Sequence, residues 1–150
     1  MRLQSAIFFM DDVLPDGKGA RPGADKVLSI LRMEGVWMYA VTGQRRAAAE
    51  EALRRAGLDG AFRGLLTEEE TGCPACSARM LEKAVRRLRS SPADTVVFAG
   101  RLEQVRAAAE SGLRSVAVFG AADAGEWEEM RSAADYDLVR YEDWLKVEQT

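Results

Sequence analysis

The sequence contains no histidine among its 150 residues. This absence excludes the Ser-His-Asp and Cys-His triads, histidine-ligated zinc sites and any general acid or base built on imidazole. Only two cysteines are present, which is too few for a four-thiolate zinc site or a disulfide framework. Any catalysis would therefore rest on carboxylates, lysine, arginine, cysteine or a bound ion.

Long apolar runs and an excess of one charge are also lacking. No stretch approaches the ~18 apolar residues of a membrane span, and residues 1–10 lack the basic start and apolar core of a signal peptide. The net charge is −3, with both signs mixed along the chain, which gives no indication of a nucleic-acid-binding surface. We therefore expect one cytoplasmic domain over 1–150 that binds neither nucleic acid nor membranes.

Short apolar runs alternate with amphipathic segments along the chain. The first run lies within 6–14 and is interrupted by two adjacent carboxylates, and its pattern is that of a central strand. Further strands are predicted over 36–41, 64–67, 95–99, 115–120 and 136–139. Helices are predicted over about 23–34, 45–56, 74–88, 102–110 and 124–133, with a solvated loop at 68–72 and a helical turn at 141–146. The alternation predicts an α/β fold with three α/β/α layers and a mostly parallel, Rossmann-like sheet.

Four segments follow the predicted strands and carry polar or glycine residues. They are 9–12, 42–43, 72–74 and 99–101. In an open parallel sheet the carboxyl ends of the strands meet at one edge, and sites form there. The four segments are thus predicted to share one crevice.

In order and spacing these segments resemble the motifs of the haloacid dehalogenase-like (HAD) superfamily of aspartate-nucleophile phosphatases. Residues 11–14 (Asp-Asp-Val-Leu) are similar to the second half of the family's Asp-x-Asp-Gly-(Val/Thr)-Leu motif. Thr42 matches the Thr/Ser of the second motif, 72–75 resembles Gly-Lys-Pro-x, and 97–101 resembles the fourth motif. The resemblance covers essentially the whole chain. It implies a HAD-like fold without a large cap domain and a small hairpin flap over 15–21.

The resemblance also implies what each position would do. The family uses an aspartate nucleophile, a second carboxylate two residues later as general acid, a lysine, a Thr/Ser hydroxyl and Mg²⁺ held by acidic residues. In this sequence Asp11 and Thr42 match the general acid and the hydroxyl. Phe9 stands at the nucleophile position, Cys73 at the lysine and Gly100 within the acidic pair. We therefore predict a catalytically inactive pseudo-phosphatase that needs no metal or cofactor, in which Phe9 fills the crevice with apolar area.

Such a protein would act by binding a small anionic ligand or a protein partner. The candidate ligand-binding residues are Thr42, Gly43, Gln44 and Arg101, which flank the predicted crevice beside a helix start. The competing interpretation is that this arginine-rich helix start is only a solvated surface. The sequence leaves both a monomer and a homodimer open.

Two enzymatic alternatives also remain open. One is a working HAD-like phosphatase of small phosphorylated metabolites, in which Asp11 acts as the nucleophile with Mg²⁺. The other is a dithiol redox protein that uses Cys73 and Cys76, since a C-x-x-C sequence at a helix N-terminus would lower the pKa of the first thiol.

Overall fold

A single six-stranded parallel sheet forms the centre of the protein in a computed structural model, which describes residues 3–14 and 20–148. The predicted hairpin over 15–21 falls mostly outside the described residues. The sheet order is β3-β2-β1-β4-β5-β6. The strands are β1 (Ser5–Phe9), β2 (Trp37–Thr42), β3 (Gly64–Thr67), β4 (Thr95–Ala99), β5 (Arg114–Val118) and β6 (Tyr136–Leu138).

Helices cover both faces of the sheet. Helices α2, α3 and α8 contribute to the apolar cluster on one face, and α5, α6 and α7 to the cluster on the other. The short helices α1 and α4 follow β1 and β3 directly. The helices are α1 (Met10–Val13), α2 (Ala24–Met33), α3 (Arg46–Arg55), α4 (Glu68–Thr71), α5 (Ala78–Leu88), α6 (Leu102–Glu110), α7 (Ala124–Ala133) and α8 (Trp144–Glu148). The predicted three-layer α/β/α architecture is confirmed.

The two central strands are buried along their whole length. Every residue of β1 and β4 is shielded from solvent, and Phe8 stacks on Phe98 at a centroid distance of 4.4 Å. Burial of one such side chain contributes about 2 kcal/mol. The apolar runs therefore have no polar alternation, because the sheet is covered on both sides. Within the described residues, no helix is long and apolar enough to span a membrane.

Residues 68–70 and Gly72 are exposed as predicted, but the prediction that 68–72 forms a loop is wrong. Residues 68–71 form α4, because the Thr67 side chain accepts the Glu70 amide at 3.1 Å and caps the helix start. The three glutamates in the first turn stabilise the helix further, because their negative charges lie near the positive end of the helix dipole. Gly72 ends the helix with a φ of +72°, a conformation that glycine adopts without strain.

The predicted helix start at Pro74 is also wrong. Helix α5 begins at Ala78, and Ser77 is its N-cap, with the side chain accepting the Met80 amide at 3.2 Å. Ser77 also closes a turn by donating to the Pro74 carbonyl oxygen at 2.6 Å. Ser77, three residues after Pro74, can accept a backbone amide at a helix start, which a proline side chain cannot. Cys73 consequently lies outside the helix, four residues before its N-cap.

Candidate functional site at the carboxyl edge of the sheet

The strand order switches between β1 and β4, because β2 and β3 are added on one side of β1 and the later strands on the other. Strands β2 and β3 lie on one side of this point, and β4, β5 and β6 on the other. Crevices in open α/β sheets form at such a switch point, outside the carboxyl ends of the strands. Phe9 ends β1 here, and the next residues turn at once into α1, so that Asp11 and Asp12 project from a helical turn rather than from the strand.

The Asp11 carboxylate is held by donors from the end of β2. Thr42 Oγ1 lies 2.7 and 2.8 Å from its two oxygens. The Gly43 amide donates at 3.1 Å and Gln44 Nε2 at 2.5 Å. The structure thus brings together four of the predicted site residues. Asp11 itself occupies the hydroxyl and amide donors that an anionic ligand would use.

Asp12 is held by a residue that the sequence reasoning missed. Gln104 Nε2 donates to Asp12 Oδ2 at 2.6 Å. Its Oε1 accepts the Gly100 amide at 2.8 Å and the Arg101 amide at 3.2 Å. Gln104 is 2% exposed, so these bonds cross a buried space between the ends of β1 and β4. A signal existed, because glutamine three residues after the N-cap of a helix is part of a capping pattern.

Gly100 approaches the chain after β1 closely. A Cβ added at this position would lie 2.8 Å from the Asp12 carbonyl oxygen and 2.9 Å from the Asp12 Cβ. The first of these neighbours is backbone, which cannot move aside as a side-chain tip can. No side chain therefore fits at position 100 without displacement of the Asp12 backbone.

Phe9 and Cys73 both belong to the hydrophobic core. They are 2% and 3% exposed and lie in one apolar cluster with Val41, Leu66 and Ala99. The expectation that Phe9 adds apolar burial at this edge agrees with that placement.

Both cysteines are free thiols. Burial raises the pKa of the Cys76 thiol to about 11, and its Sγ lies 3.6 Å from Gln104 Nε2. A redox pair at neutral pH needs a thiolate, which a raised pKa disfavours.

Arg101, one of the predicted ligand-binding residues, forms an ion pair with Glu126 on α7. Its Nε lies 2.8 Å from Glu126 Oε2, and the same carboxylate oxygen accepts the Leu102 amide at 2.9 Å. Both interactions hold the pKa of Glu126 below its usual range. Arg101 therefore links the start of α6 to α7 instead of standing with Thr42 and Gln44 around an open anion site. Arg21 Nη2, which the sequence reasoning also missed, donates to the Asp12 carbonyl oxygen at 3.0 Å.

The residues present do not fit the magnesium site that the family resemblance implies. Mg²⁺ prefers carboxylate and other oxygen ligands in octahedral geometry. The chain offers the Phe9 ring and the Gly100 backbone at the implied acidic positions, and the Asp12 carboxylate is bound by Gln104. Among the described residues, no group of three or more carboxylate, cysteine or histidine side chains converges as a metal site would require.

The cavity beside Asp11 is small. It has a volume of about 100 Å³, and its lining includes Asp11, Gln44, Met10, Leu14 and Leu53. Ligand pockets typically measure about 300 to 1,000 Å³. The cavity beside Asp11 lies below this range.

Comparison with known proteins places these features in a family. The model of the haloacid dehalogenase-like hydrolases matches residues 9–112. Human chronophin is 34% identical over 100 residues, which are 66% of this chain and 33% of chronophin. The chain therefore spans about a third of the length of this curated relative.

Solved structures share the fold at low identity. A haloacid dehalogenase-like hydrolase from Streptococcus pneumoniae is 11% identical with a TM-score of 0.79, over 98% of this chain and 99% of that one. A protein from Haemophilus somnus 129PT, named a predicted phosphoglycolate phosphatase, is 16% identical with a TM-score of 0.74, over 87% of this chain and 57% of that one. The sheet order, the site at the β1 and β4 ends and the family match together establish that this chain belongs to the haloacid dehalogenase-like hydrolase family.

Proposed function

We propose that this chain is a catalytically inactive member of the family, a pseudo-phosphatase that acts by binding. The observation that carries the proposal is Phe9, a buried aromatic ring at the carboxyl end of β1, where the family resemblance implies the nucleophilic aspartate. A phenyl ring neither attacks phosphorus nor binds a cation. Without a nucleophile, no aspartyl-phosphate forms.

Two further features support the proposal. Cys73, at the implied lysine position, is buried in the same apolar cluster as Phe9. Gly100, at an implied acidic position, has no room for a side chain beside Asp12. The positive charge and the metal ligands that would stabilise a phosphoryl transition state are therefore missing together.

The phosphatase alternative would use Asp11 as the nucleophile. In its favour, Asp11 is the carboxylate nearest the crevice and is only partly buried. Against it, three donors hold both of its oxygens, namely the Thr42 hydroxyl, the Gly43 amide and the Gln44 side-chain amide. A carboxylate bound in this way is a weak nucleophile, because attack would break these bonds.

A phosphatase assay separates the two functions. Wild-type protein and the Asp11→Asn variant are incubated with p-nitrophenyl phosphate and Mg²⁺ at neutral pH. We expect neither protein to exceed the buffer rate, while an active family member assayed in parallel does. Mg²⁺-dependent turnover by the wild type that disappears in Asp11→Asn would establish the phosphatase instead.

A further inference from the structure

The amino-terminal edge of the sheet, opposite the carboxyl-edge site, carries the larger opening. A groove of about 1070 Å³ runs along this edge. It is lined by the start of β2, the turn before β3 and the end of α5. It is about ten times larger than the cavity at Asp11.

An exposed tryptophan lies in this groove. Trp37 is 44% exposed, whereas Trp127 and Trp144 are buried at 7% and 0%. The Arg63 guanidinium carbon lies 3.3 Å from the centroid of the Trp37 ring, in a cation–π contact that holds both side chains in place. Burial alone does not explain an aromatic ring fixed in an open position, and such residues are frequent anchors of protein interfaces.

Tyr39 adds a second aromatic ring to the same wall. It is two residues after Trp37 on β2 and so points to the same face of the sheet. A Cβ at position 64 would overlap the Tyr39 ring, and glycine there lets the ring lie across the start of β3. Both aromatic side chains thus lie on β2, and the start of β3 supplies the glycine that makes room for Tyr39.

Arginines surround this aromatic surface. Arg63, Arg87 and Arg89 line the groove, and Arg32 lines a smaller cavity that shares Trp37 and Arg63 with it. Within the described part of the chain, none of these four guanidinium groups has a carboxylate within 4.0 Å. In contrast, Arg101 at the opposite edge is ion-paired.

The local charge is opposite to that of the whole chain. Three arginines and two carboxylates, Glu34 and Asp94, line the groove, and Arg32 adds a fourth guanidinium in the adjoining cavity, in a protein with a net charge of −3. Like charges placed close together disfavour the folded state. Arg89 also ends α5 with a φ of +53°, a strained conformation for a residue with a Cβ. The cluster therefore lowers the stability of the fold in two ways. Such a cluster is expected where it serves a function.

We infer that this amino-edge surface, defined by Trp37, Arg63, Arg87 and Arg89, binds an acidic segment of a partner protein. The inference refines the proposed function, since it names the class of partner that an inactive family member would bind. The rings supply apolar contact area, and the guanidinium groups supply paired donors for carboxylates. Enrichment in tryptophan, tyrosine and arginine is the composition that separates interfaces from ordinary surface.

A charge-reversal experiment tests the inference. The probe is a fluorescein-labelled peptide of glutamates interrupted by two leucines, titrated with the full chain and followed by fluorescence anisotropy. The variant Arg87→Glu/Arg89→Glu should bind about tenfold more weakly than the wild type. The matched control is Arg79→Glu/Arg86→Glu, which makes the same charge change on exposed positions of α5 outside the groove lining and should bind like the wild type.

Tryptophan fluorescence locates the peptide. Acrylamide quenching reports Trp37 selectively, because the other two tryptophans are buried. Bound peptide should protect Trp37 from quenching, and Trp37→Ala should weaken binding without a change in the far-UV circular dichroism spectrum. Equal loss of affinity in both charge variants, absence of saturable binding up to millimolar peptide, or concentration-dependent self-association through Trp37 would overturn the inference. Phosphatase turnover would overturn the proposed function but would leave these binding results unaffected.

Discussion

Gln104 links two strand ends that the family resemblance would join through a metal. Its side-chain oxygen accepts two backbone amides after β4, and its nitrogen donates to Asp12 after β1. One neutral amide thereby provides partners for two backbone amides and one carboxylate, of which the Gly100 amide is buried. Through these three hydrogen bonds Gln104 joins the ends of β1 and β4 directly.

Removal of this amide should destabilise the fold. We expect Gln104→Ala to lower the free energy of unfolding by about 2 kcal/mol, because the Gly100 amide and the Asp12 carboxylate lose a buried partner. Urea denaturation followed by circular dichroism measures the change. A double-mutant cycle with Asp12→Ala should give a coupling of about 1 kcal/mol.

The matched control is Gln44→Ala, which removes the equivalent amide contact to Asp11 at a position that is only half-buried. It should cost clearly less than Gln104→Ala. Equal costs for the two variants, or additive effects of Gln104→Ala and Asp12→Ala, would contradict the bridging role.

At the scale of elements, the strands were more predictable than the short helices. The strands over 64–67 and 95–99 and the helices over 102–110 and 124–133 have the predicted bounds, since each is a continuous apolar or amphipathic run bounded by clear stop signals. Helix α4 and the start of α5 were missed because single caps, Thr67 and Ser77, determine them. Such caps are worth about 1 kcal/mol and leave no periodic pattern.

The ion pair between Arg101 and Glu126 ties α6 to α7 and should depend on pH. The pKa of Glu126 is lowered in the folded protein, so its contribution is present above the carboxyl pKa of the unfolded chain and is lost as the pH falls through the folded value. Glu126→Gln should therefore cost about 0.5 kcal/mol of unfolding free energy at pH 7, and close to nothing at about pH 3.

The comparison uses urea denaturation at both pH values. The control is Glu129→Gln, also on α7, whose carboxylate lies 3.6 Å from Arg106 in a pair that is mostly exposed. It should be neutral at both pH values. An equal cost of Glu126→Gln at pH 7 and pH 3 would show that the Glu126 side chain stabilises the fold through packing and hydrogen bonding and not through its charge.

For the whole molecule, the fold and the convergence of the strand ends followed from the sequence, but the state of the site did not. The pattern predicts which segments meet, and the meeting of Asp11 with Thr42, Gly43 and Gln44 is one result. It does not predict which donors saturate which carboxylate, because this depends on side-chain distances across strands far apart in sequence. The amino-edge groove was missed for the same reason, since its arginines come from separate elements.

The stability of the whole molecule should be independent of magnesium. A cation that binds only the folded state at a hundred times its Kd adds about 2.7 kcal/mol of stability, which in a domain of this size raises Tm by several degrees. Because Phe9 and Gly100 provide no carboxylates and Gln104 holds Asp12, we expect Tm in millimolar MgCl₂ and in EDTA to agree within about 1 °C. Potassium chloride at matched ionic strength controls for charge screening. A rise of several degrees in MgCl₂ that EDTA reverses, and that Asp11→Asn or Asp12→Asn abolishes, would show that these carboxylates still bind a cation and that the carboxyl edge keeps part of its chemistry.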